Sequence, residues 1–485
     1  MQPRNETIKI GGLDRPLLSL YVMLVGIGAL MIYAANYNPE DPFSFVRLDN
    51  NAGKQLLFIV VCFAMSFVIL LMDWSFWRTF AFPIYLITLI LLPGTLIFGR
   101  EVNGAYAWYQ IGGFSFQPAE LTKFGTCLAM SAYLSASGVN MKEWRSRLLA
   151  FAIFLIPFII IRVLQDDTGS ALVFLSFALV LYREGLPAPW YVLGFGSAAM
   201  AVLGLLFEPL TVVPWLIIYV NYLLIQRLRQ KTRPWWMAFI ALIPLTIVWP
   251  SFTEWLNSAT NIDMQHPVWG LVPHIALLFA LFVPNYFKKN NIIQSEVRLI
   301  LLLLSLASGL VFAANFACYT LLAPHQQQRI KVWLKPAEAS PDIAYNSLQS
   351  KMAIGSGGLA GKGYLDGNMT NLKYVPEQST DFIFCTVGEE QGFIGTTCVI
   401  LFFTLFLIRI ITIAERQRSN FSRNYAYCVA GIIFVHFVIN VGMTMGVFPI
   451  IGIPLPFISS GGSSLIGFTL MVAVLLKLDS NRSMV

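Results

Sequence analysis

Charged residues are scarce in this chain, and so are histidine and cysteine. Only 12% of the 485 residues are Asp, Glu, Lys or Arg, whereas 57% are hydrophobic. So little charge does not cover the surface of a soluble globular protein of this length, which excludes that class. The mean hydropathy of +0.68 instead indicates a helical protein that crosses a membrane many times.

The few cysteines argue against two kinds of site. They lie mostly within apolar runs, and no two of them have C-x-x-C spacing. Neither a disulfide framework nor a zinc site is therefore indicated, and we interpret them as small core residues. The N-terminal stretch also lacks a short apolar region followed by a small-residue cleavage site, so we expect the first apolar run to remain as a span.

Apolar runs long enough to cross a hydrocarbon layer of about 30 Å recur along the chain. They predict about 14 transmembrane helices, or 12 if the two shortest runs, 168–182 and 211–225, do not cross. The runs begin near Leu17, Gln55, Thr79, Pro118, Leu148, Thr168, Trp190, Thr211, Trp235, Val268, Val297, Gly392, Ala426 and Gly461. The predicted fold class is thus an all-α polytopic membrane protein.

The net charge of +7 has two readings, a basic surface for an anionic partner or a membrane topology with basic cytoplasmic loops. With the N-terminus placed in the cytoplasm, most basic residues outside the segment 329–390 fall on the cytoplasmic side. Topology therefore explains the excess charge, and no nucleic-acid partner is expected. Both termini then lie in the cytoplasm, and 329–390 lies outside it.

The segment 329–390 is the one long polar stretch of the sequence. Its basic residues break the positive-inside trend, which favours an anionic ligand there, the alternative being solvated loop charges. These residues are Arg329, Lys331, Lys335, Lys351, Lys362 and Lys373.

The glycine-rich part of this segment, GSGGLAGKG at 355–363, invites comparison with a phosphate-binding loop. It does not fit, because Ser356 stands where the first glycine belongs and Gly363 stands where Ser or Thr would bind magnesium. Two interpretations remain open. The backbone and Lys362 approach a phosphate or sugar closely, or the glycines form a tight re-entrant turn.

Acidic residues near the membrane surface form a second group of candidates. Asp381, Cys385 and Glu389 are spaced to share one side of a helix, where two carboxylates would face a polar cavity or a partner. The alternative is that Thr380 or Asp381 only caps that helix.

Two polar pairs lie inside apolar runs. Glu120 and Lys123 have i, i+3 spacing, and we interpret them as a structural ion pair. His436 and Asn440 have i, i+4 spacing, and we expect them to satisfy each other or a backbone carbonyl rather than to bind metal.

Seven motifs, in order from about residue 103 to the C-terminus, resemble the SEDS family (shape, elongation, division and sporulation proteins). They are VNGAYAW, FQPAELTK, QDDTGSALV, QSKMAIGSGGLAGKG, YVPEQSTDFIF, GEEQGFIG and FPIIGIPLPFISSGGSS. The resemblance implies a peptidoglycan glycosyltransferase of the bacterial cytoplasmic (inner) membrane. Such an enzyme polymerises lipid II onto a growing glycan strand during elongation and shape maintenance.

The resemblance also implies cofactors and partners. A divalent cation, Mg or Mn, is expected and a nucleotide is not. The partners are membrane lipids and a class B penicillin-binding protein, which supplies the transpeptidase.

The family core of about ten helices is shorter than the helix count predicted here, which indicates an inserted group of helices. We expect a cytoplasmic tail 1–16, the first part of the core 17–207, inserted helices 208–296, a helix leading to the outer loop 297–320, one large extracytoplasmic loop 321–390, C-terminal helices 391–478 and a cytoplasmic tail 479–485.

One departure from the family concerns its essential aspartate, which precedes a proline and stands six residues before the tyrosine equivalent to Tyr345. That position here is Ala339, followed by Ser340. Our hypothesis is that Asp342 or Glu338, the nearest carboxylates, replaces it as the catalytic base. The alternatives are a catalytically weak scaffold for the penicillin-binding protein and a flippase for a lipid-linked substrate.

Transfer of a sugar from a lipid pyrophosphate needs a base at the acceptor hydroxyl and cations at the departing phosphates. The sequence leaves the metal ligands unknown. The expected substrate-contacting residues are Arg329, Lys331, Gln349, Ser350, Lys351, Gly357, Gly358, Lys362, Glu377, Asp381, Ser459 and Gly461.

Overall fold

The fold is a set of long helices with one small sheet. The computed structural model describes residues 12–37, 50–102, 104–111, 114–227, 240, 275–280, 283, 291–322, 324–335 and 341–482. The helices are α1 (Arg15–Ala35), α2 (Asn51–Leu71), α3 (Trp74–Thr79), α4 (Ala81–Phe98), α5 (Pro118–Leu134), α6 (Trp144–Leu164), α7 (Thr168–Val173), α8 (Phe177–Arg183), α9 (Pro189–Leu206), α10 (Pro209–Arg227), α11 (Asn291–Phe316), α12 (Pro324–Leu334), α13 (Pro341–Ser356), α14 (Asn368–Asn371), α15 (Ile383–Arg416), α16 (Asn420–Thr444) and α17 (Gly462–Ser480).

Length and hydropathy identify the membrane spans. Among the residues given above, 9 helices are long and apolar enough to cross a bilayer, and two shorter apolar helices cover Thr168–Arg183 and Thr211–Gln226. Helix α5 corresponds to a further predicted run. The predicted runs near Trp235 and Val268 lie outside the described residues. The prediction of an all-α multi-pass membrane protein is confirmed.

The chain divides into two compact units. Residues 1–187 and 339–485 form the first, and residues 188–338 form the second. In the first unit α5 packs against α4, α6, α16 and α17, while α15 packs against α1, α13 and α16. In the second unit α11 packs against α9 and α10.

Helix α5 lies at the centre of the first unit. It begins with Pro118 at its first turn, where a missing N–H costs nothing, and nearly every later side chain is buried. The buried positions include the charged residues Glu120 and Lys123. Two charges in such a core require partners, and these are described below.

Helix α15 differs from the prediction at its start. It begins at Ile383 rather than near Gly392, which instead forms a kink with φ 63 and ψ −159. The N-cap is Phe382, with no side-chain cap bond, so the predicted cap by Thr380 or Asp381 is wrong. Asp381 precedes the helix, and the predicted helical face shared with Cys385 and Glu389 is therefore wrong as well.

A three-stranded antiparallel sheet connects α4 to α5 and was not predicted. Its strands are β1 (Arg100–Val102), β2 (Ala105–Ile111) and β3 (Phe114–Phe116). Arg100 pairs with Trp108, and Tyr109 pairs with Phe116. Among the cysteines, Cys398 is exposed, so its prediction as a core residue is wrong, whereas the other five are buried.

Candidate functional site

Four helices of the first unit begin at one end of the bundle, which we call the loop end. The Gln117 side chain before α5 donates to the Asp167 carboxylate before α7 over 2.9 Å. The Gln117 backbone N–H donates to Ser463 Oγ of α17 over 3.1 Å. The Gly461 N–H donates to Gln55 Oε1 of α2 over 3.3 Å. Polar side chains thus fix these helix starts against one another.

The connection between α16 and α17 covers residues 445–461. Its later part, 449–461, is an irregular segment at the loop end, and we call it the re-entrant loop. Ser459 Oγ donates to the Thr380 carbonyl over 2.6 Å and accepts from the Leu455 N–H over 2.8 Å. The Ser460 N–H donates to the Ser379 carbonyl over 2.8 Å. The protein thus satisfies polar groups of this irregular backbone internally.

Helix α16 holds both the re-entrant loop and the segment before α15. Asn440 Nδ2 donates to the carbonyls of Asp381, over 2.8 Å, and Ile453, over 2.7 Å. His436 Nδ1 lies 3.1 Å from the Pro454 carbonyl. The prediction that these two side chains satisfy backbone carbonyls is confirmed.

The charges in the core of α5 form a chain with α16. Lys123 Nζ lies 2.7 Å from Glu120 Oε1 and 2.8 Å from His436 Nε2. It also lies 5.4 Å from the ring centroid of Phe468. Lys123 is fully buried, and Glu120 Oε2 has no hydrogen-bond partner within the described part of the chain. The structure therefore pairs Glu120 with Lys123 and adds a histidine that the spacing alone did not link to them.

Glu389 holds the turn that follows the glycine-rich segment. Its carboxylate accepts from Lys362 Nζ over 2.6 Å and from the Met369 N–H over 2.9 Å. The N–H and the hydroxyl of Thr370 both donate to its second oxygen over 2.8 Å. Glu389 is fully buried, so these donors replace the water that the carboxylate loses. The predicted role of Lys362 at a substrate phosphate stays a prediction.

The glycines of GSGGLAGKG pack against the kink of α15. A Cβ on Gly357 would lie 2.0 Å from the Gly388 carbonyl oxygen, and one on Gly361 would lie 2.1 Å from that of Glu390. Gly358 has φ +59 and is open to solvent. Of the two interpretations of this segment, the geometry is that of the tight turn.

The residues around the start of the glycine-rich segment divide into buried and exposed ones. Ser350 is fully buried and donates to the Thr444 carbonyl over 2.6 Å, while Gln349 is half-buried. Lys351 is exposed and crosses Gly446, where a Cβ would lie 2.1 Å from the lysine Cε. Lys351 is thus a cationic side chain available to a ligand at the loop end.

Two acidic residues at the loop end differ in their exposure to solvent. Glu377 is exposed and accepts from the Thr380 hydroxyl over 2.9 Å. Asp381 is half-buried, and a Cβ on Gly452 would lie 3.2 Å from its Oδ2. Both carboxylates belong to the segment before α15, which the buried Ser459 holds by its hydrogen bond to the Thr380 carbonyl.

Backbone strain is concentrated in the connections at this end. Among the residues that the structure describes, five other than glycine have a left-handed backbone, which such residues rarely adopt unless their surroundings enforce it. They are Asp166, Leu365, Lys373, Glu377 and Phe457. Strain of this kind clusters at functional sites, which makes the loop end the candidate site.

The remaining predicted residues lie elsewhere or outside the description. Arg329 is exposed on α12 of the second unit, and Lys331 Nζ lies 5.9 Å from the Tyr319 ring centroid. Asp342 lies in the first turn of α13, but its side chain lies outside the described residues. Glu338 also lies outside them, as does Ala339. The prediction of a base in this segment stays a prediction.

In the described part of the chain, no group of three or more His, Cys, Asp or Glu side chains could hold a metal ion. Glu377, which is exposed, and Asp381, which is half-buried, are the predicted acidic residues at this end. Carboxylate oxygens are the donor type that Mg²⁺ binds, and the divalent cation stays a prediction.

The chain matches the family model FTSW_RODA_SPOVE, described as "Cell cycle protein", over residues 15–231 and 290–484. It is 30% identical to the peptidoglycan glycosyltransferase RodA of Treponema pallidum over 476 residues, which covers 97% of this chain and 98% of the relative. It is 28% identical to the probable peptidoglycan glycosyltransferase FtsW of Trichlorobacter lovleyi, with 98% and 95% covered. The MrdB protein of Escherichia coli is 23% identical, with 97% and 95% covered.

Two solved structures share the fold. One, described as "Structural coordination of polymerization and crosslinking by a peptidoglycan synthase complex", matches with a TM-score of 0.61 at 22% identity, covering 97% of this chain and 98% of that one. The rod shape determining protein RodA of Thermus thermophilus matches with a TM-score of 0.54 at 21% identity, covering 97% of each chain. The motifs, the family model and the fold agree, and the chain belongs to the FtsW/RodA/SpoVE family of SEDS proteins.

Proposed function

We propose that this chain is a peptidoglycan glycosyltransferase that polymerises lipid II into glycan strands during cell elongation and shape maintenance. The observation that carries the proposal is the loop end. There the exposed Lys351 lies on helix α13, and the carboxylates of Glu377 and Asp381 lie on the connection before α15, which the buried Ser459 holds by a hydrogen bond to the Thr380 carbonyl. Relatives aligned over nearly the whole chain are named for this activity.

The reaction assigns a role to each kind of side chain. The acceptor hydroxyl oxygen attacks the anomeric carbon of the donor sugar, a new C–O bond forms, and the bond to the lipid pyrophosphate breaks. The hydroxyl proton passes to a carboxylate base, and the bonding electrons leave with the pyrophosphate. Asp342 or Glu338 supplies the base, while Lys351 stabilises the departing phosphates.

A divalent cation, Mg or Mn, completes the phosphate site in this proposal. Glu377 and Asp381 would hold it together with the substrate phosphates, where it would neutralise charge on the leaving group. Lys362 is a further cation predicted to contact substrate, and Arg329 and Lys331 of the second unit stay predictions from the sequence. No nucleotide takes part.

The same proposal assigns location and partners. The chain lies in the bacterial cytoplasmic (inner) membrane with both termini in the cytoplasm and the loop end outside, as the basic residues indicate. Lipid II and the growing strand reach the site from the outer leaflet. A class B penicillin-binding protein crosslinks the product, and no nucleic acid is involved.

Reconstitution in vesicles tests the proposal against transport. Purified protein with its penicillin-binding partner is given lipid II, and glycan polymer and lipid II translocation are measured on the same vesicles. We expect polymer without translocation. Translocation without polymer would identify a flippase. If neither polymer nor translocation is detected, the remaining reading is a catalytically weak scaffold, which Ala339 favours.

A further inference from the structure

Glu120, Lys123 and His436 have no role in the proposed chemistry, yet the contacts of Lys123 and His436 determine which atoms donate and which accept. Lys123 Nζ is only a donor, so His436 Nε2 accepts its hydrogen bond of 2.8 Å. The Pro454 carbonyl is only an acceptor, so His436 Nδ1 carries a hydrogen and donates over 3.1 Å. The imidazole is thus held neutral, in one tautomer, between a buried cation and the re-entrant loop.

Lys123 is itself fixed in place. Its ammonium donates to Glu120 Oε1 and to His436 Nε2, and it also lies near the face of the Phe468 ring. A buried ammonium with these partners has little freedom to move, so the histidine that binds it is fixed as well.

One turn further along α16, Asn440 holds the adjacent carbonyl. Its amide donates to Ile453 O over 2.7 Å, and His436 binds the next carbonyl, that of Pro454. Two side chains at i, i+4 on one helix face therefore form hydrogen bonds to two consecutive backbone carbonyls. Asn440 also donates a hydrogen bond to the Asp381 carbonyl over 2.8 Å. This bond connects the re-entrant loop to the candidate site.

The backbone that follows Ile453 and Pro454 is strained at Phe457. Phe457 has φ +66 and is buried against Phe468, with a ring-centroid distance of 5.7 Å. A left-handed phenylalanine persists only where its surroundings over-determine it. Ser459 follows two residues later and donates to the Thr380 carbonyl.

We propose that His436 is a positioning residue that connects the buried Glu120–Lys123 pair to the re-entrant loop. It fixes the Pro454 carbonyl and, through the loop, the contact of Ser459 with the segment that carries Asp381. This role rests on the proposed function, because His436 would hold the loop end in the geometry that polymerisation requires. The competing account is that the pair and the histidine only stabilise the core.

Three variants separate these accounts. His436→Phe removes both hydrogen bonds, whereas His436→Gln keeps an acceptor for Lys123 and a donor for the Pro454 carbonyl. The double variant Glu120→Leu with Lys123→Met replaces the ion pair by apolar groups, a change that often leaves stability unaltered. Phe434→Leu, at an exposed position of the same helix, is the matched control.

Amide hydrogen exchange measures the loop without any need for activity. We expect His436→Phe and the double variant to speed exchange at Leu455 and Ser460 about tenfold, the effect of losing one hydrogen bond. His436→Gln and Phe434→Leu should leave the rate within about twofold of wild type. Unaltered exchange in His436→Phe, with unaltered melting temperature, would overturn the proposal.

Polymerisation kinetics provide the second readout. We expect the double variant to lower kcat about tenfold or more with little change in KM for lipid II, because misplaced groups act on the transition state. Wild-type kcat in a folded double variant would show that the pair only stabilises the core. If wild type itself forms no polymer, the glycosyltransferase proposal fails, and the exchange result still decides the role of His436.

Discussion

At the residue scale, Glu389 shows how one buried carboxylate holds an outer turn. Glu389→Ala leaves the Met369 and Thr370 N–H groups and the Lys362 ammonium without their acceptor. The Met369 N–H and the N–H and hydroxyl of Thr370 lose their acceptor together. A buried group that loses its partner costs about 1–3 kcal/mol, so we expect a loss of about 3 kcal/mol in the free energy of unfolding.

Lys362→Met is the matched partner variant. It removes one donor from Glu389 and leaves the others, and the Lys362 side chain is already 26% exposed. We therefore expect a smaller loss, about 1 kcal/mol. Thermal unfolding in detergent checks the order, and equal effects of the two variants would contradict the account.

The second residue-scale prediction concerns Asp14, the N-cap of α1, at the end of the bundle opposite the loop end. Burial raises the pKa of this carboxyl, but hydrogen bonds from Arg409, the Leu17 N–H and Arg416 outweigh burial and lower the pKa to about 2. A depressed carboxyl pKa contributes stability above the unfolded pKa of about 3.9. This stability is lost as the pH falls toward 2.

Asp14→Asn tests this linkage, because asparagine retains the cap but not the charge. We expect the melting-temperature difference between wild type and variant to be largest near neutral pH and to shrink between about pH 4 and pH 2. Asp73→Asn, at the exposed N-cap of α3, is the control. A wild-type advantage from Asp14 that persists at pH 2 would refute the linkage.

At the element scale, the kink of α15 depends on glycine. Gly392 has φ +63, and a Cβ there would lie 2.3 Å from the Gly361 N atom. Gly392→Ala therefore combines a disfavoured backbone with a backbone clash, and we expect a loss of at least about 2 kcal/mol. The measurement is again thermal unfolding in detergent.

Gly355 provides the control within the same glycine-rich segment. It lies in α13, and nothing lies within 4 Å of a Cβ placed on it. Gly355→Ala should be neutral or should stabilise by up to about 1 kcal/mol through helix propensity. If both substitutions have the same effect, the kink does not depend on Gly392.

The sequence predicts elements where one physical demand dominates. A bilayer requires long apolar helices, so the runs beginning at Pro118 and Thr168 coincide with helix starts. The start of α15 at Ile383 was missed because Glu389 is solvated by donors of the 362–370 turn, which hydropathy does not register. The short strands of 100–116 were missed because a search for spans averages over longer windows.

The candidate site was only partly accessible to sequence reasoning. The i, i+3 spacing identified Glu120 with Lys123, since both lie on one helix. His436 is 313 residues from Lys123 along the chain, and no local periodicity brings them together. Ser459 was identified through the family motif, whereas its contact with the Thr380 carbonyl emerges only from the tertiary structure.

At the scale of the whole molecule, the distribution of basic residues predicts which end faces the cytoplasm. Leu372 is 65% exposed near the loop end, and Lys142 is exposed in the connection between α5 and α6. In a background with Cys398→Ser, we expect a membrane-impermeant thiol reagent to label Leu372→Cys, but not Lys142→Cys, in intact cells. The reverse pattern would place the loop end in the cytoplasm and contradict the proposed function.

The central claim is that this chain is an active polymerase whose base lies in the segment 337–344 although Ala339 replaces the family aspartate. The most direct measurement is the rate of lipid II polymerisation by the purified protein with its transpeptidase partner, for wild type, Asp342→Ala and Glu338→Ala. We predict an active wild type and a loss of about 10²–10⁴-fold in one of the two variants, the usual contribution of a general base. An inactive wild type, or an active one that neither substitution slows, would contradict the claim.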